Sequence, residues 1–173
     1  TSDIYDANGT IYIVSVYMNG KTFMDFQGET LHDCVPLIRS AARVLKRIHD
    51  ADYLYLDLKP DNILTLEGSL DLVQLFDFDS MISMEDLQNA IRTNDPSRLR
   101  TSYTRGYASL EQQTGKLRQL GKHSDMYSLG AVLFYALWHK TPSATPQRHH
   151  CQRGPAAPAV RDSRNHFPPG PRS

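Results

Sequence analysis

Apolar residues in the first 139 positions follow the short alternations and helical repeats that predict strands and helices. Residues from Ile11 to Met18 are mostly β-branched or aromatic, and Ile4–Asp6 forms a shorter segment of the same kind before them. Asn8-Gly9 lies between the two segments, and this dipeptide favours the two-residue turn of a hairpin. The pattern therefore predicts an antiparallel pair of strands at the start of the chain.

Two stretches predict long helices. Apolar residues recur at helical spacing over residues 33–50, with Asp33 as the predicted N-cap and Pro36 in the first turn. Residues 125–139 carry apolar side chains on most faces, which predicts a largely buried helix. Both stretches would contribute side chains to the core.

The segment between the two helices has a shorter pattern. Leu54–Leu56 and Ile63–Leu66 are short apolar runs, with a predicted loop over residues 57–62 between them. Leu72–Phe76 is predicted to be a strand. Ser83-Met84-Glu85-Asp86 resembles a capping box, which predicts a short helix that ends at about residue 91.

Charge and composition divide the chain near Lys140. Residues 1–139 contain 13 Lys and Arg against 18 Asp and Glu, whereas residues 140–173 contain 6 basic residues and one acid. Seven of the ten prolines lie after Lys140, and this stretch has no Leu, Ile or Met. Because little apolar surface is available to offset the entropy of ordering, we predict a disordered Pro/Arg-rich tail over 140–173. The abrupt change is typical of a truncated or frame-shifted reading; a flexible linker to another domain is the alternative.

The overall composition, with 40% apolar and 22% charged residues, is that of a soluble globular protein. The longest apolar run, Ala131 to Trp138, is too short to cross a membrane as a helix. Two cysteines, Cys34 and Cys151, cannot build a disulfide framework, so we expect a reducing, cytoplasmic environment. A formal net charge of zero gives no electrostatic reason to expect nucleic acid or an anionic membrane as a partner.

The loop over residues 57–62 carries the clearest chemistry. Asp57, Lys59 and Asn62 can converge if the loop is tight, and Asp77-Phe78-Asp79 follows an apolar strand 15 residues after Asn62. A carboxylate and an amide oxygen at two strand ends form a hard-oxygen site suited to Mg²⁺. A second carboxylate near a substrate hydroxyl can accept its proton. Phosphoryl transfer from ATP requires these parts, since the reaction depends on positioning and charge neutralisation.

Several motifs occur in a fixed order along the chain. They lie at Ile11–Gly20, Asp57–Asn62, Asp77–Asp79, Thr104–Glu111 and Ser124–Gly130. The ordered set resembles the catalytic half of a eukaryotic-type (Hanks-type) Ser/Thr protein kinase, particularly the bacterial members. The resemblance implies a partial α+β protein-kinase-like fold. Residues 1–20 would be the end of the N-lobe strands and the hinge, and residues 21–139 part of the mainly helical C-lobe.

The resemblance also implies catalytic and metal-binding roles. Asp57 would be the catalytic base that orients the substrate hydroxyl, and Lys59 would contact the transferring phosphate of ATP. A Lys at this position is typical of Ser/Thr rather than Tyr specificity. Thr104 would hydrogen-bond near Asp57 and Lys59, while Asn62 and Asp77 would hold Mg²⁺.

The same resemblance implies a site for the adenine ring of ATP. Leu64 would lie under the ring, and the backbone of Val16 and Met18 would bind its edge. Ser15 would be a small residue at the back of the pocket. Asp125 would brace the backbone of the catalytic loop.

The sequence departs from the family pattern at several positions. Leu56 lies where the family usually has Arg, so control through a phosphorylated activation segment is not expected. Asp79 replaces a Gly and adds charge beside the metal site. The Arg that usually pairs with Glu111 is missing, which predicts an exposed or unpaired carboxylate. Residues 1–173 contain no glycine-rich phosphate loop and no third-strand Lys, so we expect this chain alone to be inactive.

These observations leave three hypotheses. The first is a protein kinase that transfers the γ-phosphate of Mg·ATP to a Ser or Thr of a protein substrate. The second is a pseudokinase-type protein-interaction module, suggested by Tyr55, Leu56 and Asp79. The third is a non-functional gene remnant. The dipeptide Lys59-Pro60 argues against a small-molecule kinase.

Overall fold

The computed structural model describes residues 3–14, 16–25, 30–66, 72–99 and 102–142. Ser15 and residues 143–173 of the predicted tail lie outside the described residues. Within the described ranges the elements are seven short strands and four α-helices, so the fold is α+β as the sequence predicts. No helix in these ranges is both long enough and apolar enough to cross a membrane.

The predicted hairpin is confirmed. Strands β1 (Asp3–Ala7) and β2 (Thr10–Val14) pair antiparallel, with Ala7 opposite Thr10. Asn8 and Gly9 connect them with φ values of 55° and 70°, the backbone conformation of a type I′ turn. Strand β2 ends at Val14, before the predicted limit of Met18, and side chains on both faces of the hairpin are exposed.

Helix α1 (Leu31–Asp50) begins two residues before its predicted start. Its N-cap is Thr30 rather than the predicted Asp33. The Thr30 hydroxyl accepts a bond from the backbone N–H of Asp33, and the Asp33 carboxylate accepts one from the N–H of Thr30 at 3.0 Å. Asp33 is thus the third helical residue of a capping box, and Pro36 lies in the second turn rather than the first.

A three-stranded sheet lies against helix α1. Strands β3 (Gly20–Thr22), β5 (Ile63–Leu66) and β6 (Val73–Leu75) are antiparallel in the order β3-β5-β6. The side chains that fill the core between this sheet, α1 and the last helix include Phe23, Leu45, Tyr55, Ile63, Leu75 and Val132. This core supports the start of β5, and with it the loop at residues 57–62.

A second, smaller unit follows the sheet. Strands β4 (Tyr53–Leu54) and β7 (Ile82–Ser83) pair antiparallel, and helix α2 (Met84–Thr93) begins directly after β7. Ser83 is the N-cap of α2 and accepts a bond from the N–H of Asp86 at 3.0 Å, as the sequence predicts. Helix α2 packs on an apolar cluster that is separate from the main core.

Two further helices complete the described chain. Helix α3 (Leu110–Gln113) is one turn long, and helix α4 (Lys122–Trp138) packs against α1. The predicted long helix is confirmed, but the prediction that it is largely buried is wrong, because only one side of α4 is buried. Met126, Tyr127, Phe134 and Trp138 are exposed on it.

The capping box of α1 allows a direct test of its contribution to stability. Thr30→Ala removes the side-chain acceptor for the Asp33 N–H, and we expect a loss of about 1 kcal/mol in the free energy of unfolding. Thr30→Ser keeps the hydroxyl and should stay close to the parent value. Urea denaturation followed by circular dichroism measures both variants; equal losses would show that the cap hydroxyl does not stabilise α1.

Candidate active site

The loop at residues 57–62 connects strands β4 and β5. It contains a 3₁₀ turn, Pro60–Asn62, that begins after Lys59 and is closed by a 3.0 Å bond from the Asn62 N–H to the Lys59 carbonyl. The missing N–H and fixed φ of Pro60 suit the first position of such a turn. Asp57 and Asn62 are both buried, at 8% and 3% exposure.

Four predicted site residues form one hydrogen-bonded cluster. Thr104 Oγ1 donates to Asp57 Oδ1 at 2.7 Å, and Lys59 Nζ donates to Asp57 Oδ2 at 3.1 Å. Lys59 Nζ also lies 3.2 Å from Thr104 Oγ1. Asn62 Nδ2 donates to the backbone carbonyl of Asp57 at 3.0 Å. Both oxygens of the Asp57 carboxylate are therefore oriented, and its main chain is held as well.

The residue before Asp57 has an unusual backbone conformation. Leu56 has φ of 66°, in the left-handed region that costs an L-residue of this type about 1–2 kcal/mol. Its N–H donates to Asp125 Oδ1 at 2.7 Å, and its carbonyl accepts a bond from Gln112 Nε2 at 2.6 Å. Helices α4 and α3 thus fix both peptide groups of Leu56, which sets the direction in which Asp57 leaves the strand.

Asp125 braces the loop as the sequence predicts. Its carboxylate is fully buried and accepts bonds from the N–H groups of Tyr55 and Leu56 at 3.0 and 2.7 Å. His49 Nε2 on α1 donates to the same carboxylate at 2.8 Å. Three donors compensate the desolvation of the charge, which is what a buried carboxylate needs.

Asp77 lies next to this loop because β6, which precedes it, pairs with β5, which follows the loop. The N–H of Phe76 donates to the carbonyl of Asn62 at 3.2 Å, so Asp77 follows directly on the strand that flanks the loop. Asp77 has φ of 63° and an exposed side chain. The Tyr55 hydroxyl donates to the Phe76 carbonyl, and burial together with the nearby Asp77 charge raises the pKa of Tyr55 well above its usual range.

The residues present fit a magnesium ion. Asn62 uses its amide nitrogen on Asp57, which leaves the amide oxygen as the group available to a cation. Asp77 adds an exposed carboxylate, and both are the hard oxygen ligands that Mg²⁺ prefers. In the described part of the chain no group of three His, Cys, Asp or Glu side chains is placed to hold a metal. Such a cation would therefore take further ligands from water or phosphate, as Mg²⁺ usually does.

The residues predicted to contact adenine lie on two neighbouring segments. Leu64 is half-buried on β5, opposite Thr22 of β3. Val16 and Met18 lie between β2 and β3, with 67% and 37% of their surface exposed. Among the described residues, no hydrogen bond joins Val16 or Met18 to Leu64. Ser15, predicted at the back of the pocket, lies outside the described residues. The adenine site thus remains a prediction.

The prediction that the Glu111 carboxylate is exposed or unpaired is wrong. Its carboxylate is neither exposed nor unpaired, because Ser124 Oγ donates to it at 2.6 Å and His123 Nε2 lies 3.4 Å away. Burial raises the pKa of Glu111, but hydrogen bonds, that from Ser124 foremost, together with the nearby His123 outweigh burial and hold the pKa below its usual value. Among the described residues, those at the start of α4 therefore satisfy this carboxylate.

Sequence reasoning missed Gln112 and His49. Gln112 lies in a pattern, Ser109 followed three residues later by Gln, that marks the start of a helix. Its bond to the carbonyl of Leu56, 56 positions away, has no local signal. His49 appears in the sequence only as one polar residue near the end of a helix.

Comparison with known proteins places the chain in a family. The model of the protein kinase domain matches residues 1–165, and the chain therefore belongs to the protein kinase domain family. This family generally uses ATP and Mg²⁺. The match extends past residue 139, and the boundary predicted there stays a prediction.

Individual relatives agree with the family match. The serine/threonine-protein kinase D of Synechocystis sp. is 26% identical over 140 residues, which cover 80% of this chain and 26% of the relative. The serine/threonine-protein kinase cds1 of Schizosaccharomyces pombe is 28% identical over 157 residues, 86% of this chain and 32% of the relative. Mitogen-activated protein kinase mpkB of Aspergillus fumigatus is 29% identical over 150 residues, which cover 84% of this chain and 40% of the relative. In each case the aligned part of this chain spans less than half the length of the relative.

The Asp125 carboxylate makes a testable contribution to stability. Asp125→Ala leaves the N–H groups of Tyr55 and Leu56 buried without this acceptor, and we expect a loss of about 3–5 kcal/mol in the free energy of unfolding. Ser128→Ala is the matched control, because Ser128 is equally buried on α4 but donates only to Ser124 of its own helix. It should lose about 1 kcal/mol. Urea denaturation gives both values, and similar losses would contradict the bracing role.

Proposed function

We propose that the protein containing this chain is an ATP-dependent protein serine/threonine kinase. The observation that carries the proposal is the cluster of Asp57, Lys59, Asn62 and Thr104, in which both Asp57 carboxylate oxygens are hydrogen-bonded. Phosphoryl transfer depends on orienting a hydroxyl towards a phosphate and neutralising the charge that develops. The fixed Asp57 carboxylate can orient the hydroxyl, and the Lys59 ammonium group 3.1 Å away can neutralise part of the developing charge.

In this proposal Asp57 is the catalytic base. It binds the hydroxyl of a Ser or Thr in the protein substrate and accepts its proton. The hydroxyl oxygen forms a bond to the γ-phosphorus of ATP while the bond from that phosphorus to the β–γ bridging oxygen breaks, and ADP leaves. Lys59 contacts the transferring phosphate, and Thr104 keeps Asp57 and Lys59 in register. Rates of such general-base steps fall about 10²–10⁴-fold when the base is removed.

Asn62 and Asp77 would hold Mg²⁺ in the proposed enzyme. The ion, when bound, neutralises charge on the ATP phosphates. The contribution of the protein is to fix the two ligands: Asn62 through its bond to Asp57, and Asp77 through the strand that ends at Phe76. Leu64, with the backbone of Val16 and Met18 and with Ser15, completes the proposed nucleotide site on the adenine side.

We infer further that residues 1–173 alone do not catalyse transfer. These residues contain no glycine-rich loop or third-strand Lys that would hold the ATP phosphates in this family. The proposed partners are ATP and a protein substrate, with no nucleic acid and no membrane segment in this chain, and the proposed location is the cytoplasm. The division into residues 1–20, 21–139 and a disordered tail over 140–173 belongs to the same proposal.

A pseudokinase-type interaction module is the second candidate. The observation that favours it is Asp79, which is exposed and adds a negative charge two residues after the proposed metal ligand Asp77. A second charge there can weaken the binding of ATP phosphates by repulsion. The intact cluster around Asp57 argues for catalysis instead.

The proposed base can be tested in the full-length protein with a generic basic protein as substrate. Asp57→Asn should lower the rate of phosphate transfer about 10²–10⁴-fold. Asp61→Asn is the matched control, since Asp61 lies in the same loop but is exposed, and its rate should stay within a few-fold. Transfer of radiolabelled phosphate measures both. A full-length protein that shows no transfer, or Asp57→Asn with parental activity, would contradict the proposal.

From the proposed metal ligands we expect a separate effect on nucleotide binding. Asn62→Ala and Asp77→Ala should each remove the increase in affinity for a non-hydrolysable ATP analogue that Mg²⁺ produces, because each deletes one proposed oxygen ligand. Binding measured in excess EDTA should not change. Isothermal titration calorimetry of the full-length protein gives both affinities, with Asp61→Asn again as the control. Mg²⁺-dependent binding that survives both substitutions would exclude these ligands.

A further inference from the structure

Thr104 lies at the start of a tight turn over residues 104–108. The Thr104 carbonyl accepts a bond from the N–H of Tyr107 at 3.1 Å, and Gly106 lies between these two residues. Gly106 and Tyr107 are buried, and Thr104 is half-buried. Because the Thr104 hydroxyl donates to Asp57 at 2.7 Å, the position of this turn decides whether that bond can form.

The segment that follows α4 packs on this turn. A β-carbon added to Gly106 would collide with the methyl carbon of Thr141 and lie 3.0 Å from the carbonyl oxygen of Pro142. Gly106 also has φ of 93°, a conformation that residues with a side chain rarely adopt. Gly106 thus leaves a space beside the turn, and the Thr141 methyl group fills it.

The Thr141 hydroxyl makes a second contact with the turn, at Tyr107. Tyr107 is 6% exposed and belongs to the main core. Burial raises the pKa of the Tyr107 hydroxyl, and a hydrogen bond with the Thr141 side chain acts in the opposite direction. Thr141 as a whole is exposed. It is therefore a surface residue that contacts the turn at two points, with its methyl group and with its hydroxyl.

Helix α4 thereby supports both halves of the candidate site. Asp125 in its first turn binds the backbone that leads into Asp57, and Thr141, three residues after the last residue of α4, contacts the turn that begins at Thr104. The two halves meet in the bond between Thr104 and Asp57. A helix of 17 residues is about 25 Å long, and its rigidity fixes the separation of the two supports.

We propose that Thr141 is a positioning residue for the candidate site: it holds the turn that places the Thr104 hydroxyl on Asp57. The consequence for phosphate transfer rests on the proposed kinase function, whereas the packing of Thr141 on the turn does not. Thr141→Ala deletes both contacts, and because Thr141 is exposed the variant should keep the fold. The turn over 104–108 should then loosen, together with the loop over 57–62.

Hydrogen exchange measured by mass spectrometry tests this contact in the 173-residue chain, and no step requires turnover. Thr141→Ala should speed exchange in peptides covering 104–108 and 57–62 by at least about fivefold relative to peptides of α1. Arg105→Ala is the control, because Arg105 is exposed in the same turn, and it should leave these rates unchanged. Parental rates over 104–108 in Thr141→Ala, or loosening that does not reach 57–62, would overturn the proposal.

A pair of substitutions separates this contact from general effects on stability. Gly106→Ala should speed exchange over 104–108, because the new β-carbon takes the space of the Thr141 methyl group. Adding Thr141→Ser removes that methyl group and should slow the exchange again. Additive effects in the double variant would contradict the proposed contact.

Gly115→Ala is the matched control for this pair. Gly115 has φ of 64°, and no atom of the described residues lies within 4 Å of a β-carbon added to it. Its substitution therefore brings backbone strain without a collision. Thr141→Ser should leave the exchange rates of Gly115→Ala unimproved, and an equal improvement in both backgrounds would show that the effect on Gly106→Ala is not specific.

The full-length protein gives a kinetic readout of the same residue. Thr141→Ala should lower kcat about tenfold, because a displaced Thr104 no longer orients Asp57, and should leave the KM for ATP within about twofold. Thr141→Ser keeps the hydroxyl contact and should recover part of the loss. An unchanged kcat in Thr141→Ala would overturn the positioning role. A parent protein without any transfer would instead contradict the proposed function, and the exchange experiments would still decide whether Thr141 holds the turn.

Discussion

The buried carboxylate of Asp125 is the interaction on which the candidate active site depends. It accepts bonds from the consecutive N–H groups of Tyr55 and Leu56 and from His49. The dependence is mutual, because the fully buried charge needs these donors and the two amides need this acceptor. Helix α4 therefore fixes a loop that lies 69 positions earlier in the chain, and α1 adds the third donor. The loop has its shape only when these two helices are packed together.

Leu56 connects that constraint to the proposed base, because it directly precedes Asp57. Its left-handed backbone would relax in an isolated loop, since a Leu side chain clashes with its own carbonyl there. The bond that its N–H donates to Asp125 and the bond that its carbonyl accepts from Gln112 hold it, and they orient Asp57 towards Lys59 and Thr104. The site is thus built from backbone contacts behind the carboxylate as much as from the side chains around it. The Leu56 side chain lies in an apolar cluster, so this position needs no charged partner.

Much of the fold was predictable because its signals are local. The Asn8-Gly9 turn and the Ser83 cap of α2 depend on φ preferences and on hydrogen bonds that reach three residues or fewer. The cap of α1 shows the limit of such signals. Thr30 and Asp33 both suit an N-cap, and the reciprocal bonds of the capping box assign Thr30 to that position. The burial of α4 on one side only is a further limit, since an apolar helix does not indicate which of its faces meets a neighbour.

The sequence by itself determined which groups are available: the order of Asp57, Lys59, Asn62 and Asp77, and the fold family that this order indicates. Only the tertiary structure decided which groups meet. Ser124 and His123 satisfy the Glu111 carboxylate, which the sequence predicted to be exposed or unpaired, and Gln112 reaches a carbonyl 56 positions away. The physical reason is the separation along the chain over which each kind of interaction acts. Backbone preferences and caps act within a turn of the chain, whereas the partners of a buried polar group are set by the packing of distant elements, which must satisfy it or lose stability.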